Sequence, residues 1–354
     1  MSELASDWTT TTTPAQIARW LAGKHSIVAI THAKPDGDAI GSTIGMVRAL
    51  NIAAGGSEAG FGGVASRAEA WYADPVPPWT GGIARSTKTR TIGKDGKAGS
   101  VEPDAIVICD TGSWSQLAPY RPWLEQRLDR TVIIDHHLRG DAEISERRLI
   151  EPSAASACEI VAGVAKHILG CSSCAELPTE VAEPLYLGTA TDTGWFKHSN
   201  VTPATFRLAA DLLETGIDHE RLFEVVEQRD RPARMKLLAR ALSSMELHHD
   251  DRVAVMTLTK KDFAETGGSP GDSGGFADVV RSVESVRVVA LLTEQTDGDT
   301  TITKMSLRSK GGPDMVDVNE VAARLGGGGH AQAAGAKVRM PIADAKTRII
   351  EELA

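Results

Sequence analysis

His32-Ala33-Lys34-Pro35-Asp36-Gly37-Asp38-Ala39-Ile40-Gly41-Ser42 is the stretch whose reading decides the fold. A short β-branched run, Ile27 to Ile30, leads straight into it. A buried strand is thus expected to deliver one imidazole and two carboxylates into a tight turn, with a helix after it. Gly37 is expected to supply the unusual backbone conformation that lets Asp36 and Asp38 point at neighbouring positions. Carboxylates so close repel each other unless a cation lies between them. An Asp-Gly turn with helix-capping aspartates is the plainer reading, and this segment alone does not separate the two.

The arrangement recurs further along the chain. Ala105 to Cys109 is a second apolar run and ends at Asp110, while Thr131 to Ile134 is a third and ends at Asp135-His136-His137. Near-continuous apolar runs of this length read as central strands of a parallel sheet buried on both faces. Open α/β sheets bind their ligands at the carboxyl edge of such strands. Asp192 lies in Thr189-Ala190-Thr191-Asp192-Thr193-Gly194, read as a fourth polar turn after the apolar Leu185 to Leu187. Each acid or imidazole has a structural explanation alone, but four such turns on one sheet edge do not. Mixed carboxylate and imidazole donors without thiolates suit Mn²⁺ or Mg²⁺ better than structural zinc. Six or more donors fit two ions that share a bridging aspartate.

The rest of the chain frames this edge. Thr13-Pro14 and Thr202-Pro203 open helices, Ser156 and Glu159 match a capping box, and residues 51–101 show no assignable pattern. A charged helical segment within 229–250 reads as a connector. Beyond it Val253 to Leu258, Val286 to Leu292 and Thr301 to Leu307 read as strands, and Asp317 caps a helix that runs into Gly326-Gly327-Gly328-Gly329-His330. One glycine there is explained by a helix C-cap, but four are not. Consecutive glycines let backbone N–H groups approach an oxyanion, and Arg308 offers a forked donor for one. With 354 residues the chain is long enough for two domains. A net charge of −9 argues against gripping long nucleic acid. No apolar run suits a membrane span or a signal peptide, so a cytoplasmic protein is expected. Cys171 and Cys174 form a lone C-x-x-C without partners and read as incidental thiols.

In their order and spacing these segments resemble the DHH/DHHA1 phosphoesterases. His32, Asp36-Gly37-Asp38, Asp110, Asp135-His136-His137 and Asp192 are similar to the DHH motifs. Ser306-Leu307-Arg308-Ser309, Asp317-Val318-Asn319 and Gly327-Gly328-Gly329-His330 resemble the DHHA1 domain. The resemblance implies an α/β fold with a DHH catalytic domain over 14–228, its mainly parallel sheet flanked by helices. A linker over 229–250 would follow, then a smaller α/β DHHA1 substrate-binding domain over 251–354. It implies one metal held by His32, Asp36 and Asp110, and a second held by Asp38, Asp110, His136 and Asp192. The ions are expected to be Mn²⁺, with Mg²⁺ as the alternative. Asp135 would then orient a ligand imidazole and His137 would face the substrate phosphate. Arg308, Gly327, Gly328, Gly329 and His330 would hold the substrate's other phosphate or base across an interdomain cleft.

The implied activity is that of short bifunctional oligoribonucleases that also dephosphorylate 3′-phosphoadenosine 5′-phosphate. The substrate would be short RNA or a small nucleotide, and a homodimer is compatible with everything above. A phosphodiesterase of cyclic-di-AMP or linear dinucleotides, a RecJ-like exonuclease and a non-catalytic nucleotide-binding module are the competing readings. A family II inorganic pyrophosphatase would lack Gly326 to His330. One departure from the family pattern is Trp195-Phe196-Lys197, where a lysine replaces the usual arginine and loses its bidentate fork.

Overall fold

A computed structural model describes residues 8–55, 67–73, 75–92, 101–298 and 300–353. The chain divides into two compact units, Met1–Gln228 and Arg229–Ala354. In the first unit, strands β1 (Ile27–Ile30), β2 (Ala68–Ala73), β3 (Thr89–Ile92), β4 (Ala105–Cys109), β5 (Thr131–Asp135) and β6 (Arg147–Ile150) form one sheet in the order β3-β2-β1-β4-β5-β6. Every pairing is parallel. The three runs read from the sequence are the adjacent strands β1, β4 and β5. Both faces are covered, as continuous apolar strands require. Ile27, Ala29, Val107, Val132 and Ile134 face the layer of long helices. Val28, Ile30, Ile106, Ile108 and Ile133 join an apolar cluster with Leu117, Tyr120 and Trp123.

The unassigned region contributes two strands. β2 (Ala-Glu-Ala-Trp-Tyr-Ala) is buried throughout and pairs with β1, and β3 extends the sheet beyond it. Residues 56–66, 74 and 93–100 of that region lie outside the described residues. Capping follows the expected chemistry at Thr13 and Thr202, both with full capping boxes. At Ser156 the hydroxyl accepts the Glu159 N–H, but the Glu159 carboxylate reaches the N–H of Ala155 rather than that of the cap.

Asp192 corrects the sequence reading. It does not follow a strand: it ends the helix Thr179–Asp192, which is buried nearly all round and holds Pro184 inside it. A proline there frees the carbonyl four residues back. That carbonyl, of Glu180, accepts a 2.7 Å hydrogen bond from the buried Arg48 guanidinium.

The second unit is built on a mixed sheet of β7 (Glu246–His248), β8 (Val253–Leu258), β9 (Val288–Asp297), β10 (Thr300–Ser309), β11 (Gly328–His330) and β12 (Ala333–Val338). Its order is β11-β12-β10-β9-β8-β7, and only β8 and β9 run parallel. The segment expected as a connector belongs to this unit. The helix Pro232–Ser243 buries Leu237 and Ala241 with Met256 and Phe276, and β7 edges the sheet. On the other face Val318, Val321, Ala345 and Ile349 complete a core with Val288, Ala290, Met305 and Leu307.

Candidate metal centre

The order β3-β2-β1-β4-β5-β6 reverses direction between β1 and β4. At such a switch point the loops diverge and open a crevice at the strands' carboxyl ends. His32 and Asp36 follow β1, Asp110 follows β4, and His136 and His137 follow β5, so the crevice is lined from three adjacent strands. A cavity of about 360 Å³ opens there, lined by His32, Asp36, Asp110, Asp135, His137 and Asp192 among others.

The backbone around these residues is tightly specified. Asp36 caps the helix Gly37–Ala53, its Oδ1 accepting the N–H groups of Asp38 and Ala39 at 3.1 Å each. The same Oδ1 lies 3.7 Å from His32 Nε2. The capping reading holds for Asp36, and the same carboxylate lies close enough to His32 to be a candidate ligand beside it. Gly37 has no unusual conformation. A Cβ there would lie 2.7 Å from the Cβ and 2.8 Å from the Cγ2 of Thr191, so close approach of two helices excludes a side chain. Positive backbone angles fall instead on Lys34 in the same turn, at φ +57, and on Asp110, at φ +62. Asparagine and aspartate tolerate that region better than most residues, and such strain concentrates at functional sites.

Each donor is also aimed. His32 Nδ1 hydrogen-bonds the Ala33 carbonyl at 3.0 Å, which leaves Nε2 facing Asp110 Oδ2 at 3.4 Å. A ligand histidine is characteristically fixed through its other nitrogen in this way. Asp38 is buried, and both its oxygens are held by the first turn of the helix Ala157–Leu169, from Ala157 N at 2.6 Å and Cys158 N at 2.9 Å. His136 Nε2 lies 3.4 Å from Asp110 Oδ1, 3.7 Å from Asp38 Oδ2 and 3.9 Å from Asp192 Oδ2. Asp135 does not touch the His136 ring. Its Oδ1 accepts the His136 and His137 backbone N–H groups and binds His137 Nδ1 at 2.7 Å. The imidazole it orients is thus that of His137.

The electrostatics are those of a site built around positive charge. Burial opposes protonation of His32, but the neighbouring Asp110 and Asp36 carboxylates outweigh it and push the imidazole up to about 10. Burial likewise opposes protonated His136, while Asp110 and Asp38 raise it to about 9. Burial would raise Asp110, yet the two imidazoles hold it down at about 2. Burial, with Asp110 and Asp36 beside it, lifts Asp192 to about 6. Asp38 is pushed well up by burial and by Asp110 and Asp192. Three carboxylates, Asp38, Asp110 and Asp192, and two imidazoles are thus electrostatically tied to one another. Asp110 Oδ1 and Asp135 Oδ2 are buried without a hydrogen-bond partner, and such oxygens cost free energy unless something binds them.

Three overlapping donor groups emerge among the described residues: His32, Asp36 and Asp110; Asp38, His136 and Asp192; and Asp110, His136 and His137. Within each group the donor atoms lie within 4.8 Å of one another. Asp110 and His136 are each shared by two groups. This hard, oxygen-rich donor set with imidazole suits Mn²⁺ or Mg²⁺.

The second unit holds the other candidates. The glycine run is not a loose loop. Gly328–His330 is a strand antiparallel to β12, and a Cβ on Gly327 or Gly329 would lie 2.7 Å from Ala336 Cα or 2.6 Å from Ala334 Cα. The N–H of Gly329 is already donated to Asn319 Oδ1 at 2.8 Å. Those two glycines answer to strand packing; Gly326, at φ +74, has nothing within 4 Å of a would-be Cβ, and Gly328 has only Asn319 Oδ1, at 3.7 Å. Arg308 and His330 both pair with Ala333 across β10-β12-β11. Directly paired residues project from one face of a sheet, so the guanidinium and the imidazole share that face with only a methyl between them. Arg308 Nε lies 3.7 Å from Asp278 Oδ2.

The class of protein comes from the sequence comparisons. Residues 26–189 match the DHH family, N-terminal domain, and residues 250–354 match the DHHA1 domain. The chain belongs to this DHH/DHHA1 family. It is 30% identical over 331 residues to the bifunctional oligoribonuclease and PAP phosphatase NrnA of Thermus thermophilus, covering 91% of this chain and 87% of that one. It is 24% identical over 234 residues to the protein of the same name from Bacillus subtilis, covering 66% and 69%. In fold it is similar to an exopolyphosphatase-related protein from Bacteroides fragilis, with a TM-score of 0.79 at 24% identity over 96% of this chain and 95% of that one.

Proposed function

We propose that this chain is a two-metal phosphoesterase that hydrolyses short oligoribonucleotides and 3′-phosphoadenosine 5′-phosphate to nucleoside monophosphates. The observation that carries the reading is the sharing of Asp110 and His136 among three donor groups beside an orphaned Asp110 oxygen. The similarity to NrnA proteins over nearly the whole chain supplies the substrate class. The metals are held by His32, Asp36 and Asp110 and by Asp38, Asp110, His136 and Asp192. Two such ions, when bound, supply an activated water and charge neutralisation for the phosphoryl oxygens.

The chain's own residues keep the reaction geometry. Ala33 and Asp135 fix the rings of His32 and His137, and the helix start at Ala157 and Cys158 fixes Asp38. His137, half-exposed on the cavity wall, is the side chain left to meet the substrate phosphate. Arg308 and His330 bind the substrate's second anionic group, and Gly328 leaves room beside them. The 3′-to-5′ direction of attack belongs to the same reading.

The test is a product-resolved assay with Mn²⁺ on 3′-phosphoadenosine 5′-phosphate, on di- to pentaribonucleotides, and on cyclic dinucleotides. Turnover of the first two to mononucleotides is expected. Faster turnover of cyclic dinucleotides would move the protein to the competing phosphodiesterase reading, and no turnover of any would reject catalysis.

A further inference from the structure

Trp8 is not used by the mechanism above, and it lies outside the DHH match at residues 26–189. Its indole is nevertheless only 6% exposed and joins the apolar cluster that includes Ile30, Ile108 and Ile150. Two glycines exist to admit it. A Cβ on Gly112 would lie 2.8 Å from ring atom Cζ3, and a Cβ on Gly140 would lie 2.5–2.6 Å from Cζ2, Cε2 and Cη2. Gly112 follows Asp110 by two residues, and Gly140 follows His137 by three, so the ring stands where the turns after β4 and β5 meet. Its Nε1–H donates to the carbonyl of His137 at 3.0 Å.

The indole is not a loose terminal side chain. Thr10 Oγ1 donates to the Ile150 carbonyl and accepts the Ile150 N–H, both at 2.7 Å, while the Thr11 N–H donates to the Arg148 carbonyl at 2.7 Å. The segment is thereby tied along β6, the edge strand of the first sheet. The two turns are also tied to each other, with Asp141 N donating to the Gly112 carbonyl and Trp114 N donating to Asp141 Oδ2, each at 2.7 Å.

We infer that Trp8 is a positioning residue for the metal centre. Its ring spaces the Asp110–Gly112 turn from the His137–Gly140 turn, and its N–H fixes the backbone that carries His137. The His137 ring is held separately by Asp135, so the imidazole is located by one bond to its backbone and one to its ring. Sites of this kind need their side chains held within a fraction of an ångström, which terminal segments seldom provide unless they are tied down. The kinetic arm of the test below rests on the phosphoesterase reading, and the spectroscopic arm does not.

Trp8→Phe keeps an aromatic ring but loses the N–H together with the outer indole atoms that lie against Gly112 and Gly140, so it removes both the bond and the spacing with less risk to folding than Trp8→Ala. In the full chain with Mn²⁺, kcat on a dinucleotide is expected to fall at least roughly tenfold, one lost hydrogen bond setting the lower bound, with KM unchanged. In a His137→Ala background the same substitution is expected to cost clearly less than in the wild type, because one of the side chains through which Trp8 acts is gone. Equal losses in both backgrounds, or a wild-type kcat for Trp8→Phe, would overturn the inference. Independently of turnover, the His137 ring and amide signals of the metal-free, ¹⁵N-labelled protein should shift or broaden in Trp8→Phe while those of the exposed His25 stay put. An unchanged His137 signal overturns the inference even if the wild-type protein proves inactive.

Discussion

Replacing Asp110 by Asn tests the bridging role with the least disturbance of shape. Asparagine tolerates the left-handed backbone of position 110 as well as aspartate does, so no new strain enters. What is lost is one negative charge shared by two of the three donor groups. A unit charge about 4 Å from a cation, at an effective dielectric near 20, contributes roughly 4 kcal/mol, or about three decades of affinity. The metal-free protein should not suffer in proportion. Asp110 repels Asp38 and Asp192, whose carboxyls are already pushed up, so its loss relieves charge while removing the contacts to His32 and His136. Thermal unfolding is the assay. At Mn²⁺ a hundredfold above its Kd the wild type gains about 2.7 kcal/mol, a rise of roughly 5–10 °C for a unit of this size. In Asp110→Asn the same Mn²⁺ concentration should give no rise, and turnover should disappear. A variant that keeps both the Mn²⁺-induced rise and the turnover would refute the bridging argument.

Three further outcomes follow from the geometry. His32 and His136 sit at about 10 and about 9 in the metal-free protein, above the ordinary 6.5, so their protonated forms stabilise the fold fully below pH 6.5 and that contribution is lost as pH rises through 9 to 10. Metal-free Tm should therefore fall from pH 7 to pH 10 while Mn²⁺ affinity by calorimetry rises, and a pH-independent affinity would contradict the assigned protons. Arg308→Lys should raise KM for 3′-phosphoadenosine 5′-phosphate by about tenfold with kcat nearly unchanged, since a point charge replaces a fork; a fall in kcat at constant KM would place Arg308 elsewhere in the reaction. Gly37→Ala should cost about 1–3 kcal/mol in urea unfolding and weaken Mn²⁺ binding, because its methyl would meet Thr191; full stability would show that the two helices have slack.

The sequence was most legible where chemistry and local pattern coincide. β1, β4 and β5 are β-branched runs that end in acids or imidazoles, and pattern and donor chemistry both identify them. β2 was not legible, because Ala-Glu-Ala-Trp-Tyr-Ala has no β-branched residue and no alternation, and its strand state comes from pairing with β1. Asp192 stands out in the sequence as a candidate donor, but the helix that carries it does not. Its helix is buried all round and so lacks an amphipathic period, and Pro184 argues locally against any helix. The grip on Asp38 by Ala157 and Cys158 spans about 120 residues and leaves no local trace. The glycines before His330 stand out in the sequence, but packing accounts for two of them: Gly327 and Gly329 serve the approach of β12, and the Gly329 N–H is donated to Asn319.

The claim beneath all of this is that separated acids and imidazoles hold a pair of divalent ions. Crystals of the full chain grown with Mn²⁺ and measured at the manganese absorption edge test it directly. The account predicts two anomalous peaks on either side of Asp110, one touching His32 and Asp36, the other Asp38, His136 and Asp192. A single peak, or none among these side chains, would contradict it.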